Sequence, residues 1–250
     1  MANFARLEEV RLAYGNRVVL DGLSLDIVAG AITCVIGLSG SGKSTLLRLI
    51  NGLRHPQAGR VIVGDRDVAH LRGAELMDFR RHIGFSFQFS ALFDSLTIGE
   101  NVALPLREHT DLPDQQIRER VTATLASVGL PDVYDRFPSE LSGGMVKRAG
   151  FARAVINEPD CVLYDEPTTG LDPIITGILT DVIIELRSRL GGTAVVVSHD
   201  LGSVYRMADY VAMLYDGVIV FYGTVDELRS SSNAIVRQFL TGSSSGPIAI

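Results

Sequence analysis

Apolar and polar positions change rhythm several times along this chain, and each change predicts an element. Between residues 4 and 28 short runs alternate: Leu7-Glu8-Glu9-Val10-Arg11-Leu12, then Val18-Val19-Leu20, then Leu23-Ser24-Leu25-Asp26-Ile27. A period of two predicts antiparallel strands with one solvated face. Ile32-Thr33-Cys34-Val35-Ile36 is mainly apolar and β-branched, as a buried parallel strand is. Leu46-Leu47-Arg48-Leu49-Ile50 follows as helix, and Pro56-Gln57-Ala58-Gly59 as a turn. Arg60-Val61-Ile62-Val63 and Arg66-Asp67-Val68 predict edge strands, and Ile83-Gly84-Phe85-Ser86-Phe87 a core strand that ends at Gln88. Residues 91–156 read as mainly helical, with a charged amphipathic stretch over 113–128. Cys161-Val162-Leu163-Tyr164 and Thr193-Ala194-Val195-Val196-Val197-Ser198 are two further buried strands, separated by a helix that follows Pro173. Asp216-Gly217, between Val211-Ala212-Met213-Leu214-Tyr215 and Val218-Ile219-Val220-Phe221-Tyr222, predicts a hairpin. A last helix is expected over 225–240.

Between the first buried strand and its helix stands Gly37-Leu38-Ser39-Gly40-Ser41-Gly42-Lys43-Ser44-Thr45. Strand, glycine-rich turn and helix form the setting in which G-x-x-x-x-G-K-[ST] cradles phosphate. Glycines let backbone N–H groups converge on phosphate oxygens, and the helix N-terminus adds its dipole. Lys43 can reach β- and γ-phosphates, and the Ser44 hydroxyl can take a Mg²⁺ position. A dinucleotide fingerprint is excluded, because the sixth position counted from Gly40 is Thr45 rather than glycine.

Other positions bear on the same chemistry. The strand Cys161-Val162-Leu163-Tyr164 ends in Asp165-Glu166. Asp165 is placed to hold Mg²⁺ through its water shell, and Glu166 to orient and deprotonate an attacking water. Leu141-Ser142-Gly143-Gly144-Met145 opens another helix, whose N–H groups form a second anion site. The economical reason for two such sites is that two copies face each other, each offering this turn to the nucleotide held by the other. His199 ends the strand after Thr193, where open α/β sheets place ligands, and an imidazole there can donate to a γ-phosphate oxygen. Tyr14 falls in the turn of the first hairpin, either as an ordinary turn aromatic or as a ring for an adenine to stack on.

Composition narrows the class. At 250 residues with 46% hydrophobic content and a slightly positive mean hydropathy, the chain can fill the core of one large α/β domain. No run approaches the roughly 18 apolar residues of a membrane span, and no secretion signal is visible at the N-terminus. A formal charge of −6 without a basic block argues against nucleic acid as a partner. Cys34 and Cys161 both fall in expected buried strands and read as small core residues suited to a reducing compartment. Cytosol is the default location. A GTPase or small-molecule kinase is excluded by the absence of an N-K-x-D guanine motif together with the presence of the Leu141-Ser142-Gly143-Gly144-Met145 turn.

Taken in order, the phosphate loop, Gln88, Leu141-Ser142-Gly143-Gly144-Met145, Tyr164-Asp165-Glu166, Gly170-Leu171-Asp172 and Ser198-His199-Asp200 resemble an ATP-binding-cassette (ABC) ATPase over nearly the whole chain. The resemblance implies an α/β P-loop NTPase fold, a RecA-like core with an antiparallel β subdomain and an inserted helical subdomain. Residues 1–88 and 157–225 would form the core and β subdomain, 89–156 the helical subdomain, and 226–250 a C-terminal helix and tail. It also implies a head-to-tail homodimer with ATP and Mg²⁺. ATP would be held by Gly37, Ser39, Gly40, Ser41, Gly42, Lys43, Ser44 and Thr45 of one copy and by Ser142, Gly143 and Gly144 of the other. By the same resemblance Tyr14 stacks on adenine, Gln88 senses Mg²⁺ and the membrane subunit, Asp172 communicates across the dimer, and His199 is the γ-phosphate switch. Mg²⁺ ligands would be Ser44, Gln88 and Asp165, and the catalytic set Glu166, His199 and Gln88.

Met145 departs from the glutamine most relatives carry. With Pro105-Leu106-Arg107-Glu108-His109-Thr110 and Gln238-Phe239-Leu240, it resembles the ATPases of Mla-type systems, which act on phospholipids with MCE-domain proteins. That narrower resemblance implies integral permease subunits, an MCE-domain protein and a small accessory cytoplasmic subunit, at the cytoplasmic face of the inner membrane. The alternatives are a small-solute importer and a soluble ABC ATPase; the latter usually carries tandem cassettes or long coiled coils, absent here. The apolar end Pro247-Ile248-Ala249-Ile250 is expected to be covered, and the resemblance implies that it crosses to a second copy.

Overall fold

A computed structural model describes residues 2–248. In chain order the elements are β1 (Asn3–Tyr14), β2 (Arg17–Val28), β3 (Ile32–Ile36), α1 (Lys43–Ile50), β4 (Ala58–Val63), β5 (Arg66–Asp67), α2 (Gly73–Arg81) and β6 (Ile83–Ser86). Then come α3 (Ile98–His109), α4 (Asp114–Ser127), α5 (Gly143–Val155), β7 (Cys161–Asp165), α6 (Pro173–Leu190), β8 (Thr193–Val197) and α7 (Leu201–Met207). The chain closes with β9 (Tyr210–Tyr215), β10 (Val218–Gly223), α8 (Val225–Ser230) and α9 (Ala234–Thr241). They form two units: residues up to Leu76 together with those from Thr193 onward, and Met77–Gly192.

In the first unit β1 and β2 are two long antiparallel strands, where the alternation suggested shorter runs. The reason is a bulge: pairing slips between Leu7 and Val10, and Glu9 adopts a φ of 48°. The extra residue lets Ala5, Leu7, Val10 and Leu12 all face inward along one strand. With β4 and β5 they make a four-stranded sheet in the order β2-β1-β4-β5. Val68, expected in the last strand, instead opens a 3-10 turn whose cap is the Asp67 side chain. A second sheet runs β10-β9-β3-β8, with β3 parallel to both neighbours and β10 antiparallel to β9 across Asp216-Gly217. Every residue of β3 and β8 is buried, as are Leu46, Leu47, Leu49 and Ile50 of α1. Each buried Val, Leu or Ile among them contributes roughly 1.5–3 kcal/mol before ordering costs.

The second unit pairs β6 with β7 in parallel, from Ile83↔Cys161 to Ser86↔Tyr164. α5 packs on β6, and Phe151 meets Tyr164 edge to face at 5.1 Å. α4 buries Ile117, Val121 and Leu125, a four-residue spacing that keeps one face in the core. Helix does not begin near residue 91 but at Ile98. The intervening loop is held by the buried Asn101, whose amide donates to the carbonyls of Phe93, Leu96 and Thr97 and accepts from the Phe93 N–H at 2.7 Å. Thr97 and Glu100 then close a capping box on α3.

Two helices, α2 and α7, were not anticipated from the pattern. The single helix expected over 225–240 is two, because Asn233 caps α9 by accepting from Ile235 and Val236 N–H groups after an extended Ser231. Of the apolar end expected to be covered by a second copy, Pro247 is exposed and Ile248 is covered by its own chain. Ile248 is 7% exposed, and its N–H donates to Gln238 Oε1 at 2.7 Å. Gln238 Nε2 donates in turn to the Ser243 carbonyl at 3.2 Å, so residues 243–248 fold back on their own helix. Ala249 and Ile250 lie outside the described residues. Among the described residues no helix is long and apolar enough to cross a membrane.

Candidate functional site

In the first unit the loop between β3 and α1 owes its path to glycine. Gly37, Gly40 and Gly42 have φ of 148°, 77° and 105°. A Cβ on Gly37 would stand 2.2 Å from the Leu214 carbonyl oxygen, so no side chain fits there. Gly42 caps α1 in a left-handed conformation without any side-chain cap, which leaves the helix start to backbone groups. Lys43 is 6% exposed and folds inward, its ammonium donating to the carbonyls of Gly37 at 2.9 Å and Leu38 at 2.8 Å. Ser41 Oγ is buried without a hydrogen-bond partner among the described residues. An orphaned hydroxyl beside a loop of this shape suits a ligand rich in acceptor oxygens, as a phosphate is.

Around the loop, Arg17 donates to the Gly40 carbonyl at 3.4 Å, and a cavity of 300 Å³ lies against Leu38, Ser39, Gly40, Ser41 and the Asp216-Gly217 turn. Tyr14 ends β1, is 39% exposed, and its hydroxyl sits 3.4 Å from Thr45 Oγ1. The Arg54 guanidinium lies over its ring at 5.5 Å from the centroid. His199 is exposed directly after β8. Beside it the Ser198 hydroxyl accepts from the Asp200 N–H, and Asp200 caps α7.

The second unit carries the other candidates. Gln88 follows β6, with its carbonyl held by Lys147 Nζ. Asp165, buried, ends β7, and Glu166 follows at a φ of 49°, half-buried, with its carboxylate accepting from Thr169 Oγ1 at 2.9 Å. Ser142 caps α5 through a 3.4 Å bond from the Met145 N–H, with Gly143 and Gly144 as the first helical residues. Asp172 caps α6, accepting from Ile174 and Ile175 at 2.9 and 3.0 Å. Cys34 and Cys161 are both buried and free, and desolvation pushes both thiols far above the usual range, which makes them inert core residues.

Sequence reasoning passed over Lys147 and Arg153. The signal available was a cation inside an otherwise small and apolar helix, Ala149-Gly150-Phe151-Ala152 between them. Arg153 donates to the carbonyls of Ser90 and Ala91 at 2.5 and 2.7 Å, and both of those residues have positive φ.

A buried parallel strand, a glycine loop with an inward lysine and a helix capped only by backbone define a P-loop nucleoside triphosphatase. The chain matches the ABC transporter family over residues 20–169 and belongs to it; the nucleotide of that family is ATP. It is 41% identical over 246 residues to the intermembrane phospholipid transport system ATP-binding protein MlaF of Haemophilus influenzae, covering 98% of this chain and 93% of that one. Identity to MlaF of Escherichia coli strain K12 is 42% over 248 residues, covering 99% and 92%. The fold is similar, with a TM-score of 0.81 and 31% identity over 88% of this chain and 98% of the other, to the dimeric post-hydrolysis state of the ATP-binding cassette MJ0796 bound to ADP and Pi.

Proposed function

We propose that this chain is the ATP-binding and ATP-hydrolysing subunit of an ABC transporter that moves phospholipid at the bacterial inner membrane, in support of outer-membrane lipid asymmetry. The observation that supports the lipid assignment is identity of 41–42% along nearly the whole chain to relatives named for intermembrane phospholipid transport. The subunit works as a homodimer, peripheral to the cytoplasmic face, with integral permease subunits, an MCE-domain protein and a small accessory cytoplasmic subunit.

The residues divide the work. Backbone N–H groups from Gly37 to Thr45 bind phosphate oxygens, and Lys43 turns its ammonium from its own loop carbonyls to the β- and γ-phosphates. Tyr14 stacks on adenine, and His199 donates to the γ-phosphate. Ser44, Gln88 and Asp165 would hold Mg²⁺, which when bound neutralises charge on the β- and γ-oxygens. Glu166 accepts a proton from water as the water oxygen bonds to the γ-phosphorus and the bond to the bridging oxygen breaks. Ser142, Gly143 and Gly144 meet the γ-phosphate held by the second copy, and Asp172 links the two copies.

Glu166→Gln is expected to lower turnover roughly 10²–10⁴-fold with ATP affinity retained, measured by phosphate release and by nucleotide binding. Wild-type turnover in that variant rules out the assigned base. Ser142→Arg mixed with Lys43→Ala restores one composite site if catalysis needs two copies, and a mixture as inactive as either parent rules out the dimer. For the substrate, ATP-dependent transfer of labelled phospholipid in vesicles carrying the reconstituted complex is the expected outcome. ATPase that responds to a small solute and not to lipid returns the chain to an importer.

A further inference from the structure

α5 carries a cation that none of these roles uses. Lys147 is 8% exposed, one turn into the helix that opens with Ser142-Gly143-Gly144. A buried ammonium requires partners, and this one has backbone oxygens. Its Nζ donates to the Gln88 carbonyl and lies 3.5 Å from the Glu166 carbonyl. Those oxygens belong to two separate segments, the turn after β6 and the turn after β7. Desolvation draws the ammonium below the ordinary lysine range, while the carboxylates of Glu166 and Asp165 draw it back up. One charge therefore touches both turns by hydrogen bond and both carboxylates by field.

The Glu166 backbone needs such support. It sits at a φ of 49° without being glycine, a conformation that persists only where surroundings hold it. Its carbonyl also accepts a 3.4 Å bond from the Thr169 N–H. Arg153, further along α5, grips the carbonyls of Ser90 and Ala91, so the loop that begins at Gln88 is tied to the same helix twice.

We infer that Lys147 is a positioning residue for ATP hydrolysis: through its bonds to the Gln88 and Glu166 carbonyls it makes α5 the part that sets where both side chains stand. This rests on the reading of Glu166 as the base. Movement of the Ser142-Gly143-Gly144 turn then shifts the base of the same copy, and the turn acts on chemistry in its own chain as well as on the nucleotide opposite.

The test uses Lys147→Met, which keeps volume and removes the donor, with Lys147→Gln and Lys147→Arg, which restore N–H groups. In the full-length protein Lys147→Met is expected to lower kcat roughly 10–100-fold, the scale of a misplaced catalytic group, with KM for ATP within about twofold of wild type. Its thermal midpoint falls by at most a few degrees, because the Gln88 and Glu166 carbonyls lose a donor while the cost of burying the charge is removed with it. Lys147→Gln or Lys147→Arg returns most of the lost rate. Unchanged kcat in Lys147→Met, or a fall in kcat and thermal midpoint with a rise in KM and no rescue, overturns the inference. The double variant Lys147→Met/Glu166→Gln separates it from the reading beneath it. A rate no lower than that of Glu166→Gln alone supports action through Glu166, and a further drop of the full Lys147→Met factor rejects it. If Glu166→Gln alone keeps wild-type turnover, the base assignment fails, whatever Lys147→Met does.

Discussion

The phosphate loop before α1 and the serine-glycine turn before α5 are both glycine-rich helix starts, yet they need glycine for different reasons. Gly37, Gly40 and Gly42 hold positive φ, and the loop they form bends an ammonium back onto its own carbonyls. Gly143 and Gly144 have ordinary helical backbones behind an extended Ser142 cap. At Gly144 the constraint is space, since a Cβ would stand 2.6 Å from Ile175 Cγ2. The first turn needs glycine for its backbone conformation and, at Gly37, for space as well; the second needs it at Gly144 for space alone.

The largest break in this comparison is Gly37→Ala. Its Cβ would collide with a backbone carbonyl that belongs to β9, so relief requires moving a strand. Loss of ATP binding by at least about 100-fold is expected, with destabilisation of roughly 2–4 kcal/mol. Isothermal titration and chemical denaturation measure the two. Gly144→Ala is expected to act less, because its obstacle is a side-chain methyl rather than backbone. Steady-state ATPase should fall roughly tenfold with ATP binding per protomer preserved, and adding Ile175→Ala should restore most of it. Should that second change fail to rescue, the turn is constrained by backbone after all, and the contrast disappears.

Smallest are the caps. Asp172 accepts two well-formed bonds at α6 and Ser142 one long bond at α5. Asp172→Ala should therefore cost about 1 kcal/mol, seen as a fall in Tm of roughly 2–4 °C, and Ser142→Ala less than half of that. Equal effects in a thermal scan show the Ser142 bond to be stronger than its 3.4 Å length implies.

Strands, the hairpin at Asp216-Gly217 and the buried parallel elements were legible from the sequence, because each rests on local periodicity or on one turn's stereochemistry. The phosphate loop was legible for the same reason: nine consecutive residues carry it, and α1 starts where the motif places it. Glu166 and Asp165 were found as an acidic pair at the end of an apolar run. Local pattern failed where the decisive partner is distant. Asn101 ties down the loop before α3 through three carbonyls, and no periodicity shows a side chain bonding backbone. The break between α8 and α9 was written in Ser231-Ser232-Asn233, yet helical spacing on both sides masked it.

What the sequence by itself determined is the chemistry this chain offers: a glycine loop with Lys43, a carboxylate pair after a core strand, and a second helix start at Ser142. Such motifs are short, and their function follows from residue type and spacing. Only the tertiary structure decided what holds them. It brought Lys147 to the Gln88 and Glu166 carbonyls and folded residues 243–248 back onto Gln238. The tertiary structure also set Ile175 against Gly144. Those pairings depend on where backbone oxygens and side-chain ends fall after packing. A backbone oxygen is the same in every residue, so the sequence carries no mark of which one a buried cation will find.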